Sequence, residues 1–308
     1  MRALVNTPNG PAPVELRDVP EPNPAPDEAL IAVRAFSLNR GELRSFVNNE
    51  EGWIPGQDIS GVVLRQAANG LGPPAGTRVV ALTDEHGWAE RAAVPARRIV
   101  PLPENVSFAQ AAVLPVAGLT ALRCVRLGGA LAGRRVLITG AAGGVGMLAI
   151  QIAVLSGAHV TAVVGRPERE AAIAGLGAHA AVVGIENAPG RYALILESGG
   201  GASLSEAVKR IEPNGIVAVY GNSSAEPSNI SFADFRAAQN ARVQSFFYFT
   251  SGPEEMFAPD LALLVSFVAD GSVRPVIGVE KSWTEIATVA EELRARRVPG
   301  KAVFRTGD

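Results

Sequence analysis

The sequence predicts an α/β protein in two parts, a β-rich N-terminal domain of short strands followed by a doubly wound parallel sheet. Three observations lead to this fold class. Over the first 115 residues, short apolar runs alternate with Pro- and Gly-rich turns. From Phe108 the texture turns helical, and strands and helices then alternate. A glycine-rich strand–turn–helix junction stands at the head of that alternation, after Val136. With 308 residues and 47% apolar side chains, the chain has the length and the core material for two domains.

The N-terminal strands are expected at Ala29–Ala35, Ile59–Arg65, Thr77–Leu82 and Ala89–Pro95, separated by turns such as 20–26 and 70–76. Short strands at regular spacing predict a small antiparallel barrel or sheet. Helical segments follow at Ala109–Leu114 and Leu119–Val125. The next strands are read at Val136–Ile138, His159–Val164, Ala180–Val183, Ala193–Leu196, Gly215–Tyr220 and Val243–Phe247, with helices at Met147–Leu155, Glu168–Leu176 and Leu204–Ile211. Alternation of this kind predicts a parallel sheet of six strands with helices on both faces. The tail carries helices near Leu261–Asp270 and Trp283–Arg296 and a last strand, Lys301–Arg305, expected to return to the first domain. The expected division is 1–115 with 266–308, and 116–265.

The junction Val136-Leu-Ile-Thr-Gly-Ala-Ala-Gly-Gly-Val-Gly146 carries the pattern Ala141-x-Gly143-x-x-Gly146, a phosphate fingerprint with its first glycine replaced by alanine. A pyrophosphate must approach backbone N–H groups at a helix N-terminus, where a Cβ would obstruct it, so the pattern points to a dinucleotide. A tight structural βα turn is the alternative. The strand His159–Val164 ends in Gly165-Arg-Pro-Glu-Arg169, and Arg166 stands where an NAD site would present a carboxylate to the ribose. Guanidinium groups pair with phosphate, so Arg166 and Arg169 point to the 2′-phosphate of NADPH. Two solvated arginines at a helix start are the other reading, and Glu168 points either inward or outward.

Composition excludes several classes. A net charge of −2, from 28 basic and 30 acidic residues without long runs, argues against nucleic acid or an anionic membrane as the main partner. No apolar run reaches the roughly 18 residues of a spanning helix. The start, Met1-Arg-Ala-Leu-Val-Asn6, lacks a signal-peptide core, and a lone cysteine, Cys124, permits no internal disulfide, so a cytoplasmic protein is expected. Cys124 falls in an apolar helical run and reads as a buried, inert thiol. A zinc site needs three or four Cys, His or carboxylate ligands together. His159 opens one strand and His179 lies in a different connection, poor places for a shared site, so no protein zinc site is expected.

With these elements in place, the chain resembles, end to end, the medium-chain dehydrogenase/reductase superfamily in its zinc-free NADPH quinone oxidoreductase branch. The carriers are Val33-Arg-Ala-Phe-Ser-Leu-Asn-Arg40, Pro55-Gly-Gln-Asp-Ile-Ser-Gly61, Gly76-Thr-Arg-Val-Val80, Gly118-Leu-Thr-Ala121, the glycine turn, Leu196-Glu-Ser-Gly-Gly200 and Tyr220-Gly-Asn-Ser-Ser224. The resemblance implies a GroES-like catalytic domain, a Rossmann domain and a nicotinamide in the cleft between them. Zinc-dependent relatives carry a cysteine after the strand matching Ile31–Phe36, and Gly-His-Glu where this chain has Gly56-Gln57-Asp58. By the same resemblance Asn39 lies near the nicotinamide ribose and Thr120 lines the cofactor cleft. Ala142, Gly143, Gly144 and Val145 hold the pyrophosphate, and Arg166 and Arg169 the 2′-phosphate. Gly221 and Asn222 lie under the nicotinamide side, Phe246 and Phe247 offer backbone to its carboxamide, and Lys301 reaches the cofactor. The chain has Gly184 where a bacterial quinone reductase presents a tyrosine, and Arg44 and Trp53 stand in place of substrate-side tyrosines.

Hydride transfer to a conjugated carbonyl calls for stabilisation of developing charge on oxygen. Asn39 and Arg44 are the candidates; Asn39 is otherwise a turn cap and Arg44 a surface arginine. Tyr248 is either a proton donor or a core or dimer-strand residue. Asp58 is at least as readily a structural acceptor as an acid or base, and His86 reads as an exposed loop residue. The leading function is NADPH-dependent reduction of a quinone or α,β-unsaturated carbonyl, an enoyl reductase being a close variant, with a small apolar or aromatic substrate. The rival is an NADPH-binding sensor or structural protein with little turnover. The aromatic run Val243–Phe249 is expected at the sheet edge, where it would join two copies in a homodimer.

Overall fold

The computed structural model describes residues 1–10, 12–250 and 256–307. The chain forms two compact units, Met1–Leu119 with Glu254–Asp308, and Thr120–Pro253. The tail thus rejoins the first unit before the expected residue 266.

The first unit begins with a hairpin that the sequence reading did not anticipate, β1 (Arg2–Asn6) against β2 (Val14–Asp18). The long β3 (Glu28–Leu38) follows, then a short helix, α1 (Glu42–Asn48), then β4 (Asp58–Arg65), β5 (Arg78–Leu82), β6 (Arg91–Pro95) and β7 (Ile99–Pro101). The helix α2 (Phe108–Ala112) is capped by Ser107, which accepts from the Gln110 N–H while Gln110 reaches back to the Ser107 N–H. A π-helical turn, Leu114–Gly118, succeeds it.

The second unit holds α3 (Leu119–Arg126, its first residue in unit one), β8 (Arg135–Ile138), α4 (Gly144–Leu155), β9 (His159–Val164), α5 (Glu170–Ile173), β10 (Ala180–Val183), β11 (Tyr192–Glu197), α6 (Gly201–Lys209), β12 (Ile211–Val219) and β13 (Arg242–Ser245). The tail adds α7 (Phe257–Ala269), β14 (Ile277–Ser282), α8 (Ile286–Arg294) and β15 (Lys301–Arg305) to the first unit.

In unit one the strand order is β14-β15-β3-β4-β5-β7, with β6 also on β3. The burial of β3 explains how one strand serves three partners. Ala29, Ile31 and Val33 are buried and alternate with half-buried neighbours and the exposed Arg34, as on a strand with one covered face, whereas Ala35–Leu38 are buried throughout. The first half pairs with β6 and the second with β15, and two irregularities in its pairing with β4 bend it between the two. The tail strand returns to the first domain as expected, Ala302 opposite Leu38 and Arg305 opposite Ala35. Phe36 stacks between Trp88 and Phe304 at 5.4 Å from each, and Phe46 meets Trp88 edge-on.

Unit two is the expected six-stranded parallel sheet, in the order β10-β9-β8-β11-β12-β13. The chain winds outward from β8 through β10 and then crosses to the other side of β8 with β11. The strand order therefore reverses between β8 and β11, and in open sheets of this kind ligands bind at the C-terminal strand ends beside such a reversal. The fold class is α/β, an antiparallel sheet plus a Rossmann-like parallel one.

One element is shorter than expected. The helix over Glu168–Leu176 is a single 3-10 turn, Pro167–Arg169, and one turn of α-helix ending at Ile173, because Gly175 and Gly177 adopt φ of +77° and +90° and stop it. The separation expected for His159 and His179 is also corrected: β9 and β10 are parallel neighbours, so the residues at their starts meet, rings 4.2 Å apart.

A Cβ on Gly146 would lie 2.5 Å from the Gly140 carbonyl oxygen and 2.7 Å from Ala141 Cα, both backbone. Gly146→Ala is therefore expected to lower stability by about 2 kcal/mol or more, read as a fall in the urea midpoint at unchanged m-value. A change below about 0.5 kcal/mol would show that β8 and α4 are not packed this closely.

Candidate active site

In unit two the fingerprint glycines sit where β8 runs into α4. Gly143 is the N-cap of this twelve-residue helix and carries no side chain to satisfy its first N–H groups. A Cβ built there would meet only the Gly140 oxygen, at 3.3 Å, so the space in front of the helix start is open. Gly143, Gly144 and Val145 are half-buried, Ala142 is buried, and Gly146 is closed against β8. This is a cradle for an anion at a helix N-terminus. Arg166, exposed, and Arg169, half-buried, follow β9, the next strand outward. Burial first, and the nearby Arg166 second, hold the Arg169 guanidinium below the usual arginine value. Each guanidinium therefore lies in the field of the other, which an anion nearby would relieve. The helix start thus fits the pyrophosphate of a dinucleotide.

Beside this cradle lies a carboxylate to which the sequence reading gave no role. Glu197, fully buried at the end of β11, accepts from Thr139 Oγ1 (3.1 Å), Gly199 N (2.8 Å) and Ser203 Oγ (2.6 Å) on one oxygen and from Gly200 N (3.0 Å) on the other. It ties β8 to β11 and fixes the Gly199–Gly200 turn, which packs on the turn after β12. A Cβ on Gly200 would fall 1.9 Å from Asn222 Oδ1. Asn222 Oδ1 accepts from Ser224 Oγ and from Ala225 N, an Asx-turn that shapes the loop following Gly221. The motif Leu196–Gly200 was the available signal, since an acidic residue before a Ser-Gly-Gly turn has backbone donors within reach.

The remaining unit-two candidates fall in two places. Thr120 is buried in α3. Phe246 and Tyr248 are buried and Phe247 exposed, and the Tyr248 carbonyl accepts from the buried Arg123 at 2.8 Å. Tyr220 donates to the Thr139 carbonyl, and burial pushes its phenol well above the usual tyrosine range. Cys124 is buried as expected, and burial raises its thiol as well.

In unit one, Asp58 organises a second polar cluster. Its Oδ2 accepts from Ser37 Oγ (2.6 Å), Asn39 Nδ2 (2.9 Å) and Lys301 Nζ (3.0 Å), and its Oδ1 from Val116 N (2.8 Å). Lys301 also donates to Asn39 Oδ1 at 2.6 Å. Both ends of the Asn39 amide are thereby assigned, oxygen to lysine and nitrogen to aspartate, so its orientation follows from its partners. Asp58 stands where it does because Gly56, at φ +118°, lets the chain turn against Trp88; a Cβ on Gly56 would lie 2.5 Å from the Trp88 nitrogen.

Glu42, also missed, is buried at the start of α1, with Oε2 accepting from Asn39 N at 2.7 Å and Oε1 from Gln57 N at 3.1 Å. Burial, then the nearby Asp58, push its carboxyl up to about 8 against the opposing pull of the Asn39 N–H, Lys301 and the Gln57 N–H. No sequence signal marked it, because the helix that carries it was not expected. Arg44 is exposed on the same helix, Trp53 donates to Glu85, and His86 is exposed at φ +65°. Among the described residues, no group of three or more His, Cys, Asp or Glu is arranged to hold a metal ion.

Residues 144–266 match the family model described as zinc-binding dehydrogenase. The chloroplast envelope quinone oxidoreductase homolog of Arabidopsis thaliana is 37% identical over 172 residues, covering 51% of this chain and 52% of the relative. The chain thus spans about half the length of that relative in the match. The mouse quinone oxidoreductase is 29% identical over 304 residues, 92% of this chain and 91% of the mouse protein. The quinone oxidoreductase of Thermus thermophilus, solved also in complex with NADPH, is 30% identical, covers 99% of this chain and 100% of its own, and superposes with a TM-score of 0.83. This chain belongs to the medium-chain dehydrogenase/reductase superfamily, in its quinone oxidoreductase branch. Among the described residues no helix is long and apolar enough to cross a membrane.

The raised Glu42 carboxyl fixes a stability trend. The folded state holds a proton that the unfolded chain, with an ordinary value of 4.5, has released, so stability falls as pH rises from about 4.5 to about 8 and levels above it. Glu42→Gln, which cannot titrate, is expected to flatten that part of the curve in thermal melts of protein without added cofactor. An unchanged slope would place the titrating group elsewhere.

Proposed function

We propose that this protein is an NADPH-dependent, zinc-independent reductase that transfers hydride to a quinone or an α,β-unsaturated carbonyl. The observation that carries this reading is the open helix start at Gly143 with the Arg166–Arg169 pair beyond the next strand. When bound, the cofactor supplies the hydride. The chain's own residues do the rest: Ala142, Gly143, Gly144 and Val145 cradle the pyrophosphate, and Arg166 and Arg169 pair with the 2′-phosphate. On the family resemblance, Thr120, Gly221, Asn222 and the backbone of Phe246 and Phe247 line the nicotinamide end, and Asn39 meets its ribose. Lys301 acts on the cofactor through Asn39, whose amide oxygen it holds. Asn39 and Arg44 are the groups proposed to stabilise charge on the acceptor oxygen, with the proton drawn from solvent. A small apolar or aromatic acceptor suits these few polar groups. The single buried cysteine agrees with a cytoplasmic location.

A homodimer through the edge of the parallel sheet is part of this proposal. β13 is one edge of the parallel sheet, all four of its residues are exposed, and Val243, Phe247 and Phe249 present apolar surface on it and just after it. Light scattering is expected to give twice the chain mass, and a monomer would remove this part.

Steady NADPH oxidation with a panel of quinones and enones is the expected result; tight NADPH binding without turnover would favour a sensor. Arg166→Ala with Arg169→Ala is expected to weaken NADPH about 10- to 100-fold while leaving NADH unchanged. Equal weakening of both would contradict the 2′-phosphate assignment.

A further inference from the structure

Glu42 takes no part in the cofactor contacts proposed above, yet its position is unusual for a carboxyl. It is 4% exposed, and the N–H groups of Asn39 and Gln57 are aimed one at each oxygen. Two such donors prepare it for charge. What it lacks, among the described residues, is a counter-ion of its own. Lys301, the cation on β15 that acts on it, is hydrogen-bonded to Asp58 and Asn39, and Asp58 on β4 adds like charge; on its own helix Arg44 is exposed. A carboxyl in this state is poised, and one further positive charge brought near Asn39 tips it towards ionisation.

We propose that Glu42 is a positioning residue that matches charge with the nicotinamide, releasing its proton to solvent when the oxidised, positively charged ring is bound and keeping it when the neutral, reduced ring is bound. This rests on the reading of Asn39 as the residue at the nicotinamide ribose. The coupling runs through the single hydrogen bond from Asn39 N to Glu42 and through the field of the buried cluster, and by reciprocity a deprotonated Glu42 favours the oxidised cofactor. The two cofactor forms differ by one unit of charge at the ring and are otherwise alike, so titration of the 2′-phosphate or of its arginine partners cancels in the ratio of their dissociation constants.

The test is binding, not turnover. Dissociation constants of NADP+ and NADPH are measured by calorimetry from about pH 6 to about pH 10, a window that brackets the Glu42 titration. The ratio of Kd for NADP+ to Kd for NADPH is expected to fall about tenfold across it, the effect of a one-unit coupling. Glu42→Gln is expected to abolish the fall, and Glu42→Asp to keep it with a displaced midpoint. Should Glu42→Gln fail to fold, the wild type decides in two buffers of different ionisation enthalpy near pH 8, where NADP+ binding is expected to release a proton fraction that NADPH binding does not. A flat ratio in the wild type, or an undiminished slope in Glu42→Gln, would overturn the inference and leave the functional reading standing. Failure of both cofactors to bind would overturn the functional reading and this inference with it.

Discussion

The ion pair between Asp58 and Lys301 is the constraint on which the first unit depends. Both side chains are nearly free of solvent, at 0% and 5% exposure, so each has surrendered its hydration. An unpaired charge there would cost several kcal/mol, and the carboxylate repays its desolvation only by filling its acceptor positions. Asp58 does so with four donors drawn from β3, the turn after it, β15 and the π-helical turn at Val116. One buried charge therefore joins segments 243 residues apart in the chain and fixes the direction of the Asn39 amide. The return of the tail to the N-terminal sheet and the setting of a proposed cofactor contact are consequences of the same interaction.

The second unit repeats the device with different donors. Glu197 is satisfied by backbone N–H groups and hydroxyls, where Asp58 draws on a lysine. A carboxylate that accepts from two successive glycine N–H groups holds a turn which glycine alone would leave loose. On the β11 side of the strand reversal the turn is held by Glu197, and on the α4 side Gly143 presents no side chain.

Much of this was legible in the sequence, and the misses have physical causes. The parallel sheet was readable because its strands are continuous apolar runs and its helices follow at short intervals. Its strands at His159–Val164 and Ala180–Val183, and the tail strand Lys301–Arg305, have the expected limits. The hairpin β1–β2, the helix α1 and the strand β14 were not anticipated. Each is short and partly polar, and tertiary pairing stabilises it more than local pattern does. Lys301 was expected to reach the cofactor, and its partners were hidden because they lie across the sheet. Glu42 was invisible for the same reason, since burial beside Asp58 is a long-range fact. The meeting of His159 and His179 follows from strand adjacency, which residue spacing does not disclose.

The most direct test of this account is a double-mutant cycle on the buried pair, read by urea unfolding. Lys301→Met alone is expected to cost about 3 kcal/mol or more, because it strands the Asp58 charge, while Asp58→Asn combined with Lys301→Met is expected to recover much of that loss. Additive losses, or a Lys301→Met change within about 0.5 kcal/mol, would contradict it.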